Sequence, residues 1–307
     1  MNLFLGIDIG GSSFKYGIGD SKRGLQHFAI KRFTEKSLEA FQLVMREILD
    51  ESQQWDIQGI GIGSPGTISQ PGGKILGTNP NLPFFSDISP AELVPQGVTL
   101  PIYVENDANL MTLAESTLRP GKLCIGLTVG SGIGCGIVYH DQIFHGAHGY
   151  AAELGHSIVY PAGDACNCGQ QGCVEAYSSV DGIRRRLQRQ NSPYAGMALP
   201  NLIALRNRIP ELDIILREGE DALIRALANL CVVMDPDYLI LGGGAMDLYI
   251  YDVNRMQIQI QHLLPEAHAN SIKCEIASYG NRAGVMGGII LCERNHYRNE
   301  TCIQKDN

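Results

Sequence analysis

The chain contains 307 residues, of which 44% are hydrophobic and 18% charged, and its formal net charge is −8. This composition excludes a disordered chain, and the length predicts about two domains. The acidic balance argues against nucleic acid or an anionic membrane as the main partner. No apolar run reaches the ~18 residues of a membrane helix, and the first residues lack the features of a signal peptide, so we expect a cytoplasmic protein.

The first part of the chain alternates short apolar strands with helices. Residues 3–9 form an apolar run that ends in a glycine turn, and the residues after the turn read as the returning strand of a hairpin. Apolar residues at helical spacing in 37–54 predict an amphipathic helix. The elements predicted for this part are strands over 3–9, 14–18, 57–62 and 101–104 and helices over 37–54 and 107–118. Such alternation is typical of α/β layers.

The later part repeats the order of strand, glycine turn and strand, which predicts a duplicated α/β unit. Its predicted elements are strands over 123–129, 135–139 and 238–241 and helices over 220–234 and 283–293. We place an N-terminal α/β domain at 1–119 and a C-terminal α/β domain at 120–287 that contains an inserted knuckle around the closely spaced Cys166, Cys168 and Cys173. We expect the last helix, 288–307, to pack back on the first domain.

Three glycine turns follow apolar strands, at Asp8–Ser13, Gly130–Gly136 and Gly242–Gly244. Glycine lets backbone N–H groups approach an anion without a Cβ in the way. Any one of these turns alone is equally consistent with a tight connection between strands. Three together, with Asp8 at the end of the first strand, favour a triphosphate held between two domains. Asp8 would then hold Mg²⁺ through water, because magnesium prefers few carboxylates and several waters.

The segment Glu105–Asn109 places acids and amides where a strand ends and a helix begins. Helix capping explains one of these residues, since Asp and Asn are preferred caps, but it does not explain four polar residues beside a buried strand. A carboxylate there could accept the proton of a substrate hydroxyl while the Asn side chains fix neighbouring hydroxyls. An ordinary Asp pKa would suffice for that role.

Nine cysteines are an odd count in a chain without an export signal, so a disulfide framework is not expected. Cys166, Cys168 and Cys173 lie close together among glycines and polar residues, and with His156 they suit tetrahedral zinc. Clustered cysteines can also be small buried hydrophobic residues. A structural zinc ion at this knuckle would orient Glu153 and Glu175 near a ligand.

These motifs, in this order and over residues 4 to about 291, resemble the ROK family, which comprises repressors, unassigned reading frames and sugar kinases. The motifs that carry the resemblance are Asp8–Ser12, Glu105–Asn109, Glu153–His156 and Cys166–Glu175. The resemblance implies the actin-like ATPase fold, with two ribonuclease-H-like domains. It also implies ATP-dependent phosphorylation of a hexose, often at the 6-hydroxyl, and frequently a homodimer.

The resemblance also implies site residues, with Asp107 as the general base. The implied sugar-binding residues are Gly66, Asn81, Asn106, Asp107, Glu153, His156 and Glu175. The nucleotide-binding candidates are Asp8, Gly10, Gly11, Ser12, Ser13, Lys15, Gly130, Ser131, Gly132, Gly134, Gly243 and Gly244. The zinc ligands are His156, Cys166, Cys168 and Cys173. Ser12 stands where the family usually has threonine, and Ala152 stands where it usually has glycine, which adds a methyl group beside Glu153.

We therefore expect an ATP-dependent hexose kinase that acts on glucose and needs ATP, Mg²⁺ and a structural Zn²⁺. A kinase for an N-acetylhexosamine, N-acetylglucosamine or N-acetylmannosamine, is the alternative within the same class. A sugar-responsive repressor is the alternative from another class. Such repressors carry a helix-turn-helix domain before the first phosphate loop, and only seven residues precede Asp8. We thus expect a hexose and ATP as partners and no nucleic acid.

Overall fold

The computed structural model describes residues 2–69, 73–76 and 82–303. The chain divides into two compact units. Unit 1 comprises Met1–Leu118, His145–Ala151 and Arg282–Asn307, and unit 2 comprises Arg119–Phe144 and Ala152–Asn281. The domain limits predicted from the sequence, residues 119 and 287, refer to parts that fold independently, and they remain a proposal.

Unit 1 is built on a five-stranded sheet with the order β3-β2-β1-β4-β5. Its strands are β1 (Leu3–Ile9), β2 (Ser13–Asp20), β3 (Gly24–Arg32), β4 (Ile57–Ser64) and β5 (Ile102–Asn106). The first three strands pair antiparallel, and β4 and β5 continue the sheet in parallel to β1. The carboxyl ends of β1, β4 and β5 therefore meet at one edge of the sheet.

Helices cover the sheet of unit 1, and their sequences explain where they begin. They are α1 (Leu38–Ser52), α2 (Asp107–Ser116) and α9 (Ala283–Ile303). The Ser37 side chain caps α1 by accepting a hydrogen bond from the Ala40 N–H. The buried residues of α1, among them Phe41, Met45 and Ile48, recur at helical spacing, as the sequence predicted. They pack with the apolar side chains of β1, β2 and β4 in one core.

Glycines let α9 approach the sheet closely. A Cβ built on Gly61 of β4 would overlap the carbonyl oxygen of Gly288 in α9, and one on Gly6 of β1 would overlap that of Val285. On α9 itself, a Cβ at Gly287 would overlap the Leu110 carbonyl of α2. The backbone of α9 thus lies directly on β1, β4 and α2 because at each of these points at least one of the two contacting residues is a glycine.

Unit 2 repeats the arrangement with a five-stranded sheet of order β10-β9-β6-β7-β8. Its strands are β6 (Cys124–Val129), β7 (Ile133–Tyr139), β8 (Gln142–Ile143), β9 (Tyr238–Gly242) and β10 (Lys273–Ile276). Here too, three strands pair antiparallel and two continue in parallel to the first. The duplicated strand order agrees with the repeat predicted from the two glycine hairpins.

The helices of unit 2 are α3 (Val174–Ser178), α4 (Val180–Arg189), α5 (Leu199–Leu205), α6 (Pro210–Met234), α7 (Val253–Leu263) and α8 (Glu266–Ala269). Helix α6 begins ten residues before the predicted start at Glu220, because Pro210 occupies its first position, where a missing N–H costs nothing. It ends at Asp235, which has a left-handed φ of 47°. Among the described residues, no helix is both long and apolar enough to cross a membrane.

The close packing of α9 predicts the effect of adding a single methyl group. Gly61→Ala should lower the free energy of unfolding by about 2–4 kcal/mol, because the new Cβ meets rigid backbone rather than a movable side chain. Gly196→Ala is the matched control, since a Cβ there meets no atom within 4 Å. Urea unfolding of both variants measures the difference, and equal stabilities would contradict the packing.

Candidate active site and metal centre

The end of β1 carries a nearly buried acid with one basic partner. Asp8 is 8% exposed, and the Lys15 ammonium on β2 lies 3.0 Å from its Oδ2. The two residues are direct partners across the antiparallel pair. A Cβ on Gly284 would come within 2.8 Å of the Asp8 Cγ, so the start of α9 also packs against this carboxylate. Two of the predicted nucleotide-binding residues, Asp8 and Lys15, are therefore held together.

Asn106 at the end of β5 caps helix α2. Its Oδ1 accepts hydrogen bonds from the N–H groups of Ala108 at 2.9 Å and Asn109 at 3.1 Å. Its Nδ2 donates to the carbonyl of Gly66 at 3.0 Å. Two of the predicted sugar-binding residues, Gly66 and Asn106, thus lie together, and the need for a helix cap is met by Asn106. Capping does not explain the acid that follows it.

Asp107 is the first residue of α2. Desolvation by the surrounding protein and the negative charge of Asp8 raise the pKa of Asp107 to about 6, whereas the charge of Lys15 acts in the opposite direction. The sequence analysis required only an ordinary carboxyl pKa for this role, and the structure gives a higher one. A carboxylate with a pKa near 6 is a stronger proton acceptor than an ordinary Asp and is still ionised at neutral pH.

A glycine separates the two acidic strand ends. Gly63 of β4 pairs with Asp8 on one side and with Glu105 on the other. A Cβ at Gly63 would lie 2.9 Å from the Leu110 side chain and 3.8 Å from the Asp107 Cα. Gly63 therefore places no side chain between Asp8 and Glu105, and the negative charge of Asp8 acts on Asp107 beside this gap.

Sequence reasoning gave no role to Glu105 or His145, which the structure joins. The Glu105 Oε2 lies 2.6 Å from the His145 Nε2, although the two residues are 40 positions apart in the chain. His145 opens the seven-residue segment His145–Ala151 that the structure groups with unit 1. A contact over such a sequence distance leaves no periodic signal, so only the fold reveals it.

The two predicted phosphate turns differ in their surroundings. In unit 1, the Gly10 N–H donates to the Ser13 carbonyl at 2.9 Å, and Gly11 between them is exposed. A Cβ at Gly11 would meet no atom within 4 Å, and Ser12 is also exposed. The turn is therefore closed by its own hydrogen bond while its tip offers open backbone to a ligand.

In unit 2, the turn Gly130–Gly134 rests on neighbouring helices. The Gly130 N–H donates to the Gly132 carbonyl at 3.0 Å, and the Gly130 carbonyl accepts the Val180 N–H of α4 at 2.9 Å. The Ile133 N–H donates to the Glu175 carboxylate at 2.9 Å. The Ser131 carbonyl accepts the N–H of Asp181, the α4 residue after Val180, at 3.3 Å. This turn is thus fixed by α3 and α4, and Glu175 contacts it directly.

The third glycine turn follows β9. Gly243 has a φ of 91°, and a Cβ there would come within 2.7 Å of the Val129 N atom, so the position requires glycine. A Cβ at Gly244 would meet no atom within 4 Å. Gly243 is therefore explained by the close approach to β6, while Gly244 leaves its backbone accessible.

The four predicted metal ligands come together in unit 2. One donor atom from each of His156, Cys166, Cys168 and Cys173 lies within 4.8 Å of the others. The His156 Nδ1 lies 3.7 Å from the Cys166 Sγ, and the Cys168 Sγ lies 3.7 Å from the Cys173 Sγ. Cys168 is exposed, which a small hydrophobic core residue would not be. The cluster therefore has the donor set of a metal centre.

The knuckle lies between the two glutamates predicted to bind sugar. Glu153 immediately precedes the short 3-10 helix Leu154–His156, and Glu175 lies in the first turn of α3, which Cys173 precedes. Ala152 has a φ of 67°, the left-handed region that favours glycine. The departure from the family pattern at Ala152 thus falls on a strained position directly before Glu153. Asn81, the remaining sugar-binding candidate, lies outside the described residues.

The predicted site residues therefore form two sets. Unit 1 brings together Asp8, Lys15 and Asp107, and places Asn106 against Gly66. Unit 2 brings together the four predicted metal ligands and joins Glu175 to the glycine turn. Two units with the same strand order, the first with an acid at the end of its first strand, define the actin-like ATPase fold of two ribonuclease-H-like domains.

The chain belongs to the ROK family, whose model matches residues 4–295. The chain is 31% identical to a glucokinase of Thermotoga maritima over 258 residues, which cover 78% of this chain and 81% of that protein. It is 29% identical to an N-acetyl-D-glucosamine kinase of Salmonella typhimurium over 309 residues, covering 94% and 99% of the two chains. The crystal structure of a ROK family glucokinase from Streptomyces griseus, in complex with glucose and AMPPNP, superposes with a TM-score of 0.79 at 26% identity. That superposition covers 95% of this chain and 100% of the other.

The raised pKa of Asp107 predicts a pH-dependent change in stability. Between pH ~4 and ~6 the unfolded chain ionises this carboxyl more readily than the folded protein does, so the ionised group destabilises the fold above pH ~6. Asp107→Asn should therefore raise the free energy of unfolding at pH 8 by about 1–2 kcal/mol, and this gain should vanish as the pH falls toward 4.

Urea unfolding at a series of pH values measures this gain. Asp181→Asn is the control, because Asp181 also lies in the first turn of a helix but its side chain is 38% exposed. A gain for Asp107→Asn that does not change with pH, or a loss of stability at pH 8, would contradict the electrostatic account of Asp107.

Proposed function

We propose that this protein is an ATP-dependent hexose kinase and that Asp107 is its general base. The observation that carries the proposal is the Asp107 carboxylate at the end of β5, with its pKa raised to about 6 and Asn106 beside it. The glucokinase and N-acetylglucosamine kinase relatives, which match most of the chain, support the same class of reaction. Both glucose and N-acetylglucosamine present hydroxyl groups that need a proton acceptor during phosphorylation.

The reaction requires two functions from the residues where β5 ends, acceptance of a proton and positioning of the group that accepts it. The sugar hydroxyl oxygen forms a bond to the γ-phosphorus of ATP, the bond from that phosphorus to the bridging oxygen breaks, and ADP leaves. The hydroxyl proton passes to a carboxylate oxygen of Asp107. Asn106, whose Nδ2 holds the Gly66 carbonyl and whose Oδ1 caps α2, fixes the direction in which Asp107 leaves the strand. Positioning of this kind supplies much of the rate in phosphoryl transfer.

The nucleotide and Mg²⁺ fit the residues at the end of β1. Asp8 supplies the single carboxylate that magnesium accepts through water, and Lys15 supplies a positive charge within 3.0 Å of it. The exposed tip of the turn at Gly11 and Ser12 and the open backbone at Gly244 leave room for a phosphate and an adenosine group. When bound, Mg²⁺ would neutralise phosphate charge. The chain's own contribution is to hold Lys15 and the turn in place.

The Cys/His cluster fits a structural zinc ion. In a tetrahedral site with Zn–S bonds of about 2.3 Å, two sulfur atoms lie about 3.8 Å apart. The Cys168 and Cys173 sulfurs are 3.7 Å apart, which agrees with this spacing. Because His156 and three cysteines fill all four positions, we propose that zinc orders the knuckle between Glu153 and Glu175 rather than taking part in the reaction.

Glucose is the substrate we propose, with an N-acetylhexosamine as the second candidate. The Thermotoga glucokinase has the higher identity, whereas the Salmonella N-acetylglucosamine kinase matches over more of the chain. Glu153, His156 and Glu175 are proposed to bind the sugar hydroxyls. The higher identity to the glucokinase supports glucose as the first candidate.

A homodimer is proposed on the basis of exposed apolar side chains in unit 2. Helices α6 and α7 pack against each other, and the Arg255 guanidinium of α7 lies 3.4 Å from the Glu220 carboxylate of α6. Val232 and Val233 of α6 are 50% and 78% exposed, and Leu263 of α7 is 54% exposed. Large exposed apolar residues on adjacent helices are typical of a surface that another chain covers.

A coupled assay of ADP release tests the proposed function. The panel contains glucose, 2-deoxyglucose, fructose, N-acetylglucosamine and N-acetylmannosamine. We expect the highest kcat/KM for glucose and a value ~10-fold or more lower for 2-deoxyglucose, because a site built for hydroxyl groups is left with unpaired polar atoms. A preference for an acetamido sugar would replace glucose by the second candidate. No ADP release with any sugar, together with salt-sensitive binding of operator DNA, would contradict the kinase.

Metal analysis and one cysteine variant test the proposed zinc site. We expect one zinc per chain in purified protein. Cys168→Ser should lower this stoichiometry, loosen residues 153–175 and weaken sugar binding, because the thiolate ligands couple zinc binding to folding of the knuckle. Gln170→Ala, an exposed change in the same loop, is the control and should keep the metal. Fully active protein that contains no zinc would contradict the proposal.

A further inference from the structure

Glu105 is a buried carboxylate whose two oxygens are both occupied. It is 2% exposed. Its Oε1 accepts the Asn106 N–H at 2.8 Å and the Asn109 Nδ2 at 3.0 Å. Its Oε2 is bonded to the His145 Nε2 at 2.6 Å. Since an ionised carboxylate only accepts hydrogen bonds, His145 must be the donor in this pair.

His145 is the hydrogen-bond partner of this buried carboxylate, 2.6 Å away. The hydrogen bond to Glu105 raises the pKa of His145, which favours the protonated imidazole beside the carboxylate. Leaving one member of a buried charge pair without its partner is strongly unfavourable. Without His145, the carboxylate would therefore move toward water or take up a proton, and its bond to the Asn106 N–H would weaken.

The segment that carries His145 is a closed loop. The Ala151 N–H donates to the His145 carbonyl at 3.2 Å, so the two ends of the segment are tied together. Gly146 and Gly149 have φ values of 70° and 82°, which allow the chain to turn within this short span. Along the chain, Ala151 is followed by Ala152 and Glu153. The position of His145 is thus tied to that of Ala151 at the other end of the loop.

We propose that His145 is a positioning residue for the sugar-binding end of β5. It acts through Glu105, which holds the backbone N–H of Asn106, the residue directly before the general base. His145 touches neither the reacting hydroxyl nor the phosphate in this account, and its effect is on the orientation of Asn106 and Asp107. The inference rests on the proposed hexose kinase function.

Three variants test the role of His145. His145→Ala removes the donor, and we expect kcat/KM for the hexose to fall ~10–100-fold, the effect of a small displacement of catalytic groups. The KM for ATP should stay within ~2-fold, because the Asp8–Lys15 pair is not touched. His145→Gln can still donate an N–H to Glu105 and should recover most of the loss. His148→Gln, an exposed change in the same loop, should behave like wild type.

Hydrogen exchange measured by mass spectrometry gives a readout that does not require activity. We expect peptides that cover residues 102–109 and 145–151 to exchange faster in His145→Ala than in His148→Gln, with His145→Gln in between. If His145→Ala matches the His148→Gln control in both exchange and hexose kcat/KM, the inference about His145 is overturned and the proposed kinase function is unaffected. If wild-type protein phosphorylates no hexose, the proposed function fails instead, and the exchange data alone decide whether His145 holds the strand end.

Discussion

The burial of one acid beside a second carboxylate at one sheet edge is the constraint on which the proposed chemistry depends. Asp8 lies near the end of β1, Asp107 directly follows β5, and Gly63 of the intervening strand pairs with Asp8 and with Glu105. Desolvation and then the charge of Asp8 raise the pKa of Asp107, and the charge of Lys15 acts in the opposite direction. Asp8 has the Lys15 ammonium at 3.0 Å, whereas Asp107 has no ion-pair partner among the residues that the structure describes, so the two acids are suited to different tasks. One is suited to cation and phosphate binding, and the other to proton transfer.

Glycines let the backbone of α9 pack closely against this edge of the sheet. Gly284 brings the start of α9 against Asp8, and Gly287 and Gly288 let the same helix lie on α2 and β4. Asn106 accepts two hydrogen bonds from the start of α2 and donates a third to the Gly66 carbonyl, and the Glu105 carboxylate on the same strand accepts the Asn106 N–H. The orientation of Asp107 is therefore determined by backbone contacts, which vary little, and by one buried carboxylate.

Much of the fold could be predicted because its signals are local. The apolar spacing of α1 and its Ser37 cap, the strand before each glycine turn and the repeated hairpin all agree with the structure. Strand β3 was missed because it is an edge strand with a mixed pattern of half-buried and exposed residues. The close spacing of the cysteines predicted that these side chains lie together, as they do with His156, whereas the Glu105–His145 pair depends on a contact over 40 positions. Asn106 caps the helix, whereas Asp107 has a raised pKa because of the packing around it, so the sequence alone did not reveal the raised pKa.

The central claim is that Asp107 takes the hydroxyl proton with a pKa set by its surroundings. Measuring kcat as a function of pH for wild type and for Asp107→Asn tests it most directly. We expect wild-type kcat to rise with pH through about 6, as Asp107 loses its proton. Asp107→Asn should bind sugar and nucleotide, lose ~10²–10⁴-fold in kcat and show no such rise. A folded Asp107→Asn variant with near-normal kcat, or one that keeps the same dependence on pH, would contradict the account.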